Sequence, residues 1–240
     1  MMTKPKTKRG GRRPDLLAAA RKLFFKRGYV GTTIEHVASA AGFSKRTVYL
    51  YFKNKDELFI SVAETGLVEL REQLEAIPVL DLDVEEAIGA ITVTYLDFAR
   101  RNPEYFRMIF REATAEMVAN VPEEMRRRIE GHEHACLNIV ATVVDVAVAQ
   151  GSMPPIDRWE TAVMFWGMVT GIILLSLGGS QTVFGQRTRE ELITKAIWIL
   201  FEGLKETDGY FRADTGAVRK KVLRRAPDRR GAGRKKAGGK

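Results

Sequence analysis

Cysteine is almost absent from this chain of 240 residues, whose one thiol is that of Cys136. No disulfide can form within a single copy, which excludes a disulfide-stabilised secreted scaffold. No secretory signal pattern is found, so we expect the protein to work in the reducing cytoplasm. Cys136 is expected to be a small core residue, and the alternative is a redox-sensing thiol.

Long apolar runs are also lacking. The longest extends from Ala162 to Leu177 and is interrupted by Gly167, Thr170 and Gly171. It is shorter than the roughly 20 residues that cross a bilayer. We therefore expect a buried helix at this place and no association with a membrane.

Motifs of catalysis are missing as well. The chain has no GxSxG elbow, no glycine-rich phosphate loop and no HExxH helix, the patterns that position a nucleophile, a phosphate or a zinc ion. His132 and His134 are two residues apart, so on a helix they point in nearly opposite directions and do not share a metal. We predict that the protein is no enzyme and has no catalytic residue, cofactor or metal site.

The chain does contain two short helical patterns joined by a glycine. The first has Thr32 at the predicted N-cap and Glu35 three residues later, which is the spacing of a capping box. Gly42 then allows a sharp turn, and Ser44 is predicted to cap the next helix. The apolar side chains of the first helix share one face; they are Ile34, Val37, Ala38 and Ala41.

The second pattern predicts a helix from about Lys45, with Val48, Tyr51 and Phe52 on its core side. Cationic and hydroxyl side chains crowd the solvent side of its N-terminus, namely Lys45, Arg46, Thr47 and Tyr49. This arrangement is typical of a recognition helix, which meets base edges and phosphates in a major groove. The alternative is an ordinary solvated surface helix.

Flanking segments favour the first interpretation. An amphipathic helix is predicted from Asp15 to Arg27, and Gly28 ends it. On the other side, Asn54 and Glu57 have the spacing of an N-cap and its partner. Lys53 and Lys55 therefore flank a helix N-terminus, a place that attracts phosphate.

Residues 14–60 carry a dense set of matching elements: Ala20, Phe24, Gly28, Thr32-Thr33-Ile34, Val37-Ala38, Ala41-Gly42, Ser44, Thr47-Val48-Tyr49, Tyr51-Phe52, Lys53-Asn54-Lys55 and Glu57-Leu58. On these residues the segment resembles the N-terminal domain of the TetR/AcrR family of bacterial transcriptional regulators. The resemblance implies that DNA is approached by Thr33, Lys45, Thr47, Tyr49, Lys53 and Lys55, the last two through phosphates. Arg46 and Leu50 stand where relatives often carry glycine and histidine, which bears on the operator sequence that is read. We include Arg46 among the predicted DNA contacts because it lies on the polar edge of the helix.

Charge is distributed unevenly along the chain. Residues 14–58 have eight Lys and Arg against four acids, and residues 59–211 have 13 against 24. Residues 1–13 have six bases and no acid, and residues 212–240 have twelve against two. We predict four parts: a basic flexible arm (1–13), a helix-turn-helix domain (14–58, with its motif at about 33–52), a larger acidic domain (59–211) and a basic disordered tail (212–240).

Every long segment beyond Asn54 has helical periodicity, so the expected fold class is all-α, with about nine helices in total. Six of these helices are predicted at 55–76, 83–101, 103–119, 122–150, 157–177 and 188–207. The last two are apolar over much of their surface, which predicts either core or a subunit interface. Relatives in the family form dimers by packing their last two long helices together, so we expect a homodimer.

Aromatic and methionine side chains of the middle helices predict a chamber for a small hydrophobic ligand, although ordinary core is the alternative for each of them. The candidates are Tyr95, Phe98, Phe106, Ile109, Phe110, Met164, Phe165 and Met168, with Arg111 and His134 as polar groups. The resulting hypothesis is a ligand-responsive repressor of a palindromic operator in double-stranded DNA. The alternative is a basic architectural DNA-binding protein that acts mainly through its tails.

Overall fold

The computed structural model describes residues 11–177 and 187–205, and all regular secondary structure in these two stretches is helical, without strands. This confirms the predicted all-α fold. Ten α-helices are described: α1 (Arg12–Arg27), α2 (Ile34–Ala41), α3 (Lys45–Tyr49), α4 (Lys55–Glu75), α5 (Val84–Arg101), α6 (Pro103–Arg107), α7 (Ala115–Ala119), α8 (Glu123–Ala149), α9 (Arg158–Leu177) and α10 (Arg189–Lys205). A π-helical turn, Met108–Glu112, separates α6 from α7.

The helix predicted over 103–119 is wrong, because the chain leaves the helical conformation at Ala113 (φ −68°, ψ 114°). Thr114 then caps α7 by accepting a hydrogen bond from the backbone N–H of Met117 at 3.2 Å. A threonine side chain competes well for such a backbone donor. Two helices and a π-helical turn therefore replace the single helix that periodicity predicted.

The core is continuous through the described residues. α4 packs on α1, and along its length it also packs on α5, α6, α7 and α8, while α9 packs on α8 and α10. Arg128 of α8 forms an ion pair with Glu64 of α4, with Nε 2.9 Å from Oε1. One long helix thus joins the first three helices to the rest of the molecule. It runs without interruption across residue 58, so the boundary between residues 14–58 and 59–211 stays a prediction.

The predicted terminal segments fall almost wholly outside the described residues. α1 begins at Arg12, inside the predicted arm, and residues 1–10 lie outside. The predicted basic tail 212–240 also lies outside.

Candidate functional site

The N-terminus of α2 is capped by Thr33 rather than by Thr32, so the predicted capping box is one residue out of register. The Thr33 hydroxyl accepts from the backbone N–H of His36 at 3.2 Å, and Nδ1 of His36 accepts from the backbone N–H of Thr33 at 3.3 Å. Thr32 is buried and donates to the carbonyl of Gly28 at 2.9 Å. The sequence offers two adjacent threonines, and only packing decides which of them caps the helix.

The turn between α2 and α3 follows the prediction. Gly42 has φ 73° and ψ 27°, the left-handed conformation that favours glycine. Ser44 caps α3 by accepting from the backbone N–H of Thr47 at 3.1 Å. α3 begins at Lys45 as expected, so the side chains of its first turn lie just beyond a fixed turn.

Two of the three side chains predicted on the core side of α3 are buried, Val48 and Phe52. Tyr51 is 37% exposed, so its predicted place in the core is wrong. The backbone N–H groups of Tyr51 and Phe52 both donate to the carbonyl of Val48 at 3.0 Å, and this turn after α3 directs Phe52, and not Tyr51, into the core.

The predicted DNA contacts lie mainly on the surface. Thr33, Lys45, Arg46, Tyr49 and Lys53 are exposed, and Thr47 is half-buried with its hydroxyl 2.9 Å from that of Ser44. The Lys45 ammonium lies 5.9 Å from the centre of the Tyr49 ring. An exposed edge with a cation, an aromatic hydroxyl and a guanidinium can hydrogen-bond to base edges and phosphates.

Lys45 also forms an ion pair with Glu35, near the start of α2. Hydrogen bonding to the Lys45 ammonium lowers the pKa of Glu35 to about 2, and the pKa of Lys45 is raised in turn. Both side chains are exposed, so the pair adds little stability in water. It links the N-terminus of α2, where Thr33 lies, to the recognition helix.

Lys55 has a different environment from the other predicted contacts. Its ammonium donates to the carbonyls of Tyr29 at 3.1 Å and Thr32 at 3.2 Å, and it lies 3.8 Å from the centre of the Tyr29 ring. These contacts hold the loop between α1 and α2 against the start of α4. The phosphate contact predicted for Lys55 remains a prediction, but its ammonium is already engaged by this loop.

The predicted ligand chamber contains an aromatic cluster. We use this name for Tyr95, Phe106, Phe110 and Trp166. The Tyr95 ring lies 4.3 Å from Trp166, 5.5 Å from Phe106 and 6.0 Å from Phe110, centre to centre. Tyr95 and Phe106 are fully buried, whereas Phe110 and Trp166 are half-buried. Trp166 was not among the predicted chamber residues; it lies on α9, one of the two helices whose apolar surface was attributed to core or to a subunit interface.

The remaining candidates for the chamber divide into two groups. Phe98 and Phe165 are buried, and Ile109, Met164 and Met168 are half-buried. Arg111 and His134 are exposed, and the His134 ring lies 4.3 Å from that of Trp159. Neither polar group is therefore enclosed with the aromatic rings.

The polar group that does reach the aromatic cluster is Thr170, which was not predicted. Its hydroxyl is 2.7 Å from that of Tyr95, and both residues are buried. Burial raises the pKa of Tyr95, which stays protonated and can donate this bond. Thr170 lies one helical turn after Trp166 on α9, and this spacing is the signal that could have identified it.

Cys136 is buried, as predicted, and burial raises the pKa of its thiol to about 12. A thiol that remains protonated reacts slowly with oxidants. Among the described residues, no group of three or more His, Cys, Asp or Glu side chains is placed to hold a metal ion.

The capped turn between α2 and α3 and the exposed edge of α3 define a helix-turn-helix DNA-binding protein. Residues 16–62 match the sequence profile of bacterial regulatory proteins of the tetR family, and residues 88–197 match that of a tetracyclin repressor-like C-terminal domain. The chain belongs to the TetR family of transcriptional regulators.

Relatives of known sequence agree with this assignment. The chain is 28% identical over 162 residues to YhgD of Bacillus subtilis, an HTH-type transcriptional regulator, covering 68% of this chain and 82% of YhgD. It is 29% identical over 140 residues to the HTH-type transcriptional repressor NicS of Pseudomonas putida, covering 58% of this chain and 64% of NicS.

Two solved structures have the same fold. The regulator FadR of Bacillus subtilis, in complex with stearoyl-CoA, has a TM-score of 0.61 and 18% identity, and the match covers 80% of this chain and 98% of FadR. AibR, in complex with isovaleryl coenzyme A and operator DNA, has a TM-score of 0.57 and 24% identity, with 79% and 98% covered.

Proposed function

We propose that the protein is a cytoplasmic, homodimeric repressor that binds a palindromic operator and leaves it when a small hydrophobic ligand binds the larger domain. The observation that carries the proposal is the exposed edge of α3, held by the Ser44 cap and the Gly42 turn. A single short helix reads few base pairs. Two copies related by a two-fold axis would place two such helices about 34–36 Å apart, in successive major grooves.

The test of this proposal is binding-site selection on random duplex DNA, followed by footprinting. A repressor of this kind selects two half-sites with inverted symmetry and protects a short discrete region. Uniform protection along any duplex would contradict the proposal and would favour the architectural alternative. Expression of a reporter gene behind the selected operator should be higher in a strain that lacks the protein if it is a repressor. It should be lower in that strain if the protein is an activator.

Apolar side chains exposed on the last two helices support a homodimer. They are Val163 and Leu175 on α9, and Trp198 and Ile199 on α10. Exposed apolar residues on neighbouring helices mark an interaction surface, and α9 packs on α10. A second copy that presents the same surface would cover both, since a two-fold interface uses one patch twice.

The dimer can be tested with two matched substitutions. Trp198→Glu should convert the dimer to a monomer, because it puts a charge into the proposed interface. The control is Val93→Glu on α5, where the side chain is 60% exposed, close to the 62% of Trp198. Analytical ultracentrifugation measures the oligomeric state of both variants, and Val93→Glu should stay dimeric. A dimeric Trp198→Glu protein would contradict the proposed interface.

The proposed ligand enters at the aromatic cluster. Phe110 is one of its two half-buried members, with its ring 4.7 Å from Phe106, so we place the entrance at this edge of the cluster. The bound ligands of the FadR and AibR structures are acyl-CoA esters, which makes an acyl chain the first ligand to try. Such a ligand must bind the form of the protein that does not bind DNA more tightly than the form that does.

The proposed response to a ligand can be tested by titrating stearoyl-CoA and isovaleryl-CoA against the protein–operator complex. An active ligand should weaken operator binding, and the operator should weaken ligand binding by the same factor. Phe110→Trp narrows the entrance, and it should alter the response to ligand while the affinity of the ligand-free protein for DNA stays the same. Arg111→Ala tests whether that exposed guanidinium contributes a polar contact. A compound that binds tightly and leaves operator affinity unchanged is not the effector.

A further inference from the structure

Asn120, at the end of α7, contacts the predicted helix-turn-helix domain, residues 14–58, which we call the DNA-reading segment. It does so through its side-chain amide and its backbone carbonyl. Its side-chain amide donates to Oδ2 of Asp56 at 2.9 Å, and its backbone carbonyl accepts from the side-chain amide of Asn54 at 3.2 Å. The other carboxylate oxygen of Asp56 accepts from the hydroxyl of Tyr29. We call these four residues the Asn120 junction.

The junction lies where the DNA-reading helices are anchored. Asn54 caps α4 by accepting from the backbone N–H of Glu57 at 2.7 Å. Tyr29 belongs to the loop whose carbonyl holds Lys55, and that loop leads directly to Thr33 at the start of α2. A displacement of Asn120 therefore acts on the cap of α4 and on the loop before α2 together.

The same stretch of chain that carries Asn120 also carries two rings of the aromatic cluster. Phe106 belongs to α6 and Phe110 to the π-helical turn, and α7 follows that turn directly. The backbone N–H of Ala113 donates to the carbonyl of Met108 at 2.9 Å, which closes the turn with an i→i+5 bond. Turns of this kind are rare and frequently occur at functional sites.

A second contact holds the start of this stretch to the DNA-reading segment. Tyr105 precedes Phe106, and its ring meets Phe25 of α1 edge to face, with centres 5.0 Å apart. On α4, a Cβ atom added to Gly66 would lie 2.6 Å from the Tyr105 ring. The chain from Tyr105 to Asn120 is thus attached to the DNA-reading segment near both ends and to the aromatic cluster between them.

We propose that Asn120 is a positioning residue that couples the aromatic cluster to the DNA-reading segment through Asp56 and Asn54. Movement of the Phe106 and Phe110 rings shifts α7, and Asn120 transfers that shift to the cap of α4. The inference rests on the proposed function, because it needs a DNA-bound form. If this coupling exists, a change in the π-helical turn alters DNA binding, and DNA binding in turn alters the local stability of the π-helical turn.

Hydrogen exchange of the full-length protein, with and without the selected operator duplex, measures this coupling without a ligand. In the wild type, operator binding should slow amide exchange in Met108–Glu112 by at least about threefold, as expected when a local opening is suppressed. Asn120→Ala removes the bond to Asp56 and keeps the backbone carbonyl that accepts from Asn54. This variant should still bind the operator, but the slowing of exchange in this turn should be much smaller than in the wild type. Asn120→Asp removes the donor and places a second carboxylate beside Asp56, so it should uncouple the two regions at least as fully.

The matched control is Asn138→Ala on α8, where the lost hydrogen bond is the one from Arg158 at 2.7 Å. This variant should respond to the operator as the wild type does. A purely structural role of Asn120 would lower the melting temperature and leave the operator response intact, which would overturn the inference. An unresponsive turn in the wild type would overturn it as well. Failure to select any operator would instead refute the proposed function, and the inference would fall with it.

Discussion

The two regions of this chain use their positive charges in different ways. In the described part of residues 59–205, most arginines lie beside carboxylates, as in Arg101 with Asp97 at 3.2 Å and Arg127 with Glu123 at 3.0 Å. In the described part of residues 1–58, the pair of Lys45 with Glu35 is the one ion pair. Arg46 and Lys53 have no carboxylate within ion-pair distance among the residues that the structure describes.

This difference shows that a count of arginines does not locate a DNA-binding surface. Positive potential remains only where carboxylates are few, and residues 59–211 have 24 acids against 13 bases. The predicted DNA contacts lie mainly at the surface, whereas Tyr95 and Phe106 of the larger region are packed inside. Substitutions of the same kind should therefore affect stability in one region and DNA binding in the other.

The largest expected effect on stability is that of Phe106→Ala. The ring is fully buried among other rings, so its removal should lower the free energy of unfolding by about 3–5 kcal/mol. Tyr49→Ala removes an exposed ring from the DNA-reading edge and should change stability by less than about 0.5 kcal/mol, while it weakens operator binding. Chemical denaturation measures the free energy of unfolding of both variants. An equal loss of stability in Phe106→Ala and Tyr49→Ala would contradict the difference between the two regions.

Arg46→Ala should lower operator affinity by about 10-fold to 100-fold and relax the base preference at one position, since a bidentate contact to a base is lost. Its melting temperature should not change. The control is Arg101→Ala, which removes an exposed guanidinium paired with Asp97 and should leave operator affinity unaltered. Fluorescence anisotropy on the selected duplex distinguishes the two, and a similar loss in both would refute the recognition-helix assignment.

Two glycine substitutions should have effects of opposite sign. Gly66→Ala forces a Cβ atom against the Tyr105 ring and should cost about 1–3 kcal/mol of stability. Gly89 lies on an exposed face of α5, and a Cβ atom added to it would have nothing within 4 Å. Gly89→Ala should therefore raise the free energy of unfolding by about 0.5–1 kcal/mol, because it reduces the backbone entropy of the unfolded chain. Thermal melting tests the pair, and stabilisation by both would show that Tyr105 moves aside easily.

Lys53 and Lys55 should differ in how they affect the salt dependence of DNA binding. Lys53→Ala should reduce the slope of log K against log salt by about 0.9, the value for one lost phosphate contact. Lys55→Ala should leave the slope nearly unchanged and lower stability by about 1–2 kcal/mol, because two carbonyls lose a charged donor. A reduced slope for Lys55→Ala would restore its predicted phosphate contact.

The smallest effect concerns the pair of Glu35 with Lys45. The pKa of Glu35 is lowered from its ordinary value of 4.5 to about 2. A lowered pKa means that the pair contributes stability above pH 4.5 and loses it as the pH falls towards 2. Because both groups are exposed, this contribution is small. Carbon NMR titration of the Glu35 carboxyl measures the pKa, and Lys45→Ala should raise it towards the ordinary value because the largest cause of the lowering is removed.

Local signals decided which parts of the fold could be predicted. Gly42 and Ser44 act within a few residues, so the turn and the start of α3 followed from the sequence. Thr114 is an equally local cap, but the helical periodicity on both sides of it concealed the break between α6 and α7. The choice between Thr32 and Thr33 depended on which hydroxyl is buried, and the sequence pattern contains no such information.

Predictions that depended on tertiary contacts were less accurate. The exposure of Arg111 and His134 depends on how the π-helical turn and α8 are oriented in the fold, which periodicity does not determine. Thr170 reaches Tyr95 across 75 positions of sequence, and the engagement of Lys55 with the loop before α2 depends on the same kind of contact. Most of the predicted DNA contacts are exposed, because short helices with well-defined caps leave few alternative orientations for their side chains.

The close contact of Gly66 with the Tyr105 ring provides a point about which α4 could rotate. Gly66 lies eleven residues from Lys55 in the same helix, a lever arm of about 16 Å at 1.5 Å per residue. A rotation of about 10° around this point swings the first turn of α4 by about 3 Å, which is close to the 3.4 Å step between base pairs. If the proposed function holds, a small displacement of the Tyr105 ring would in this way shift the contact at each half-site by nearly one base pair.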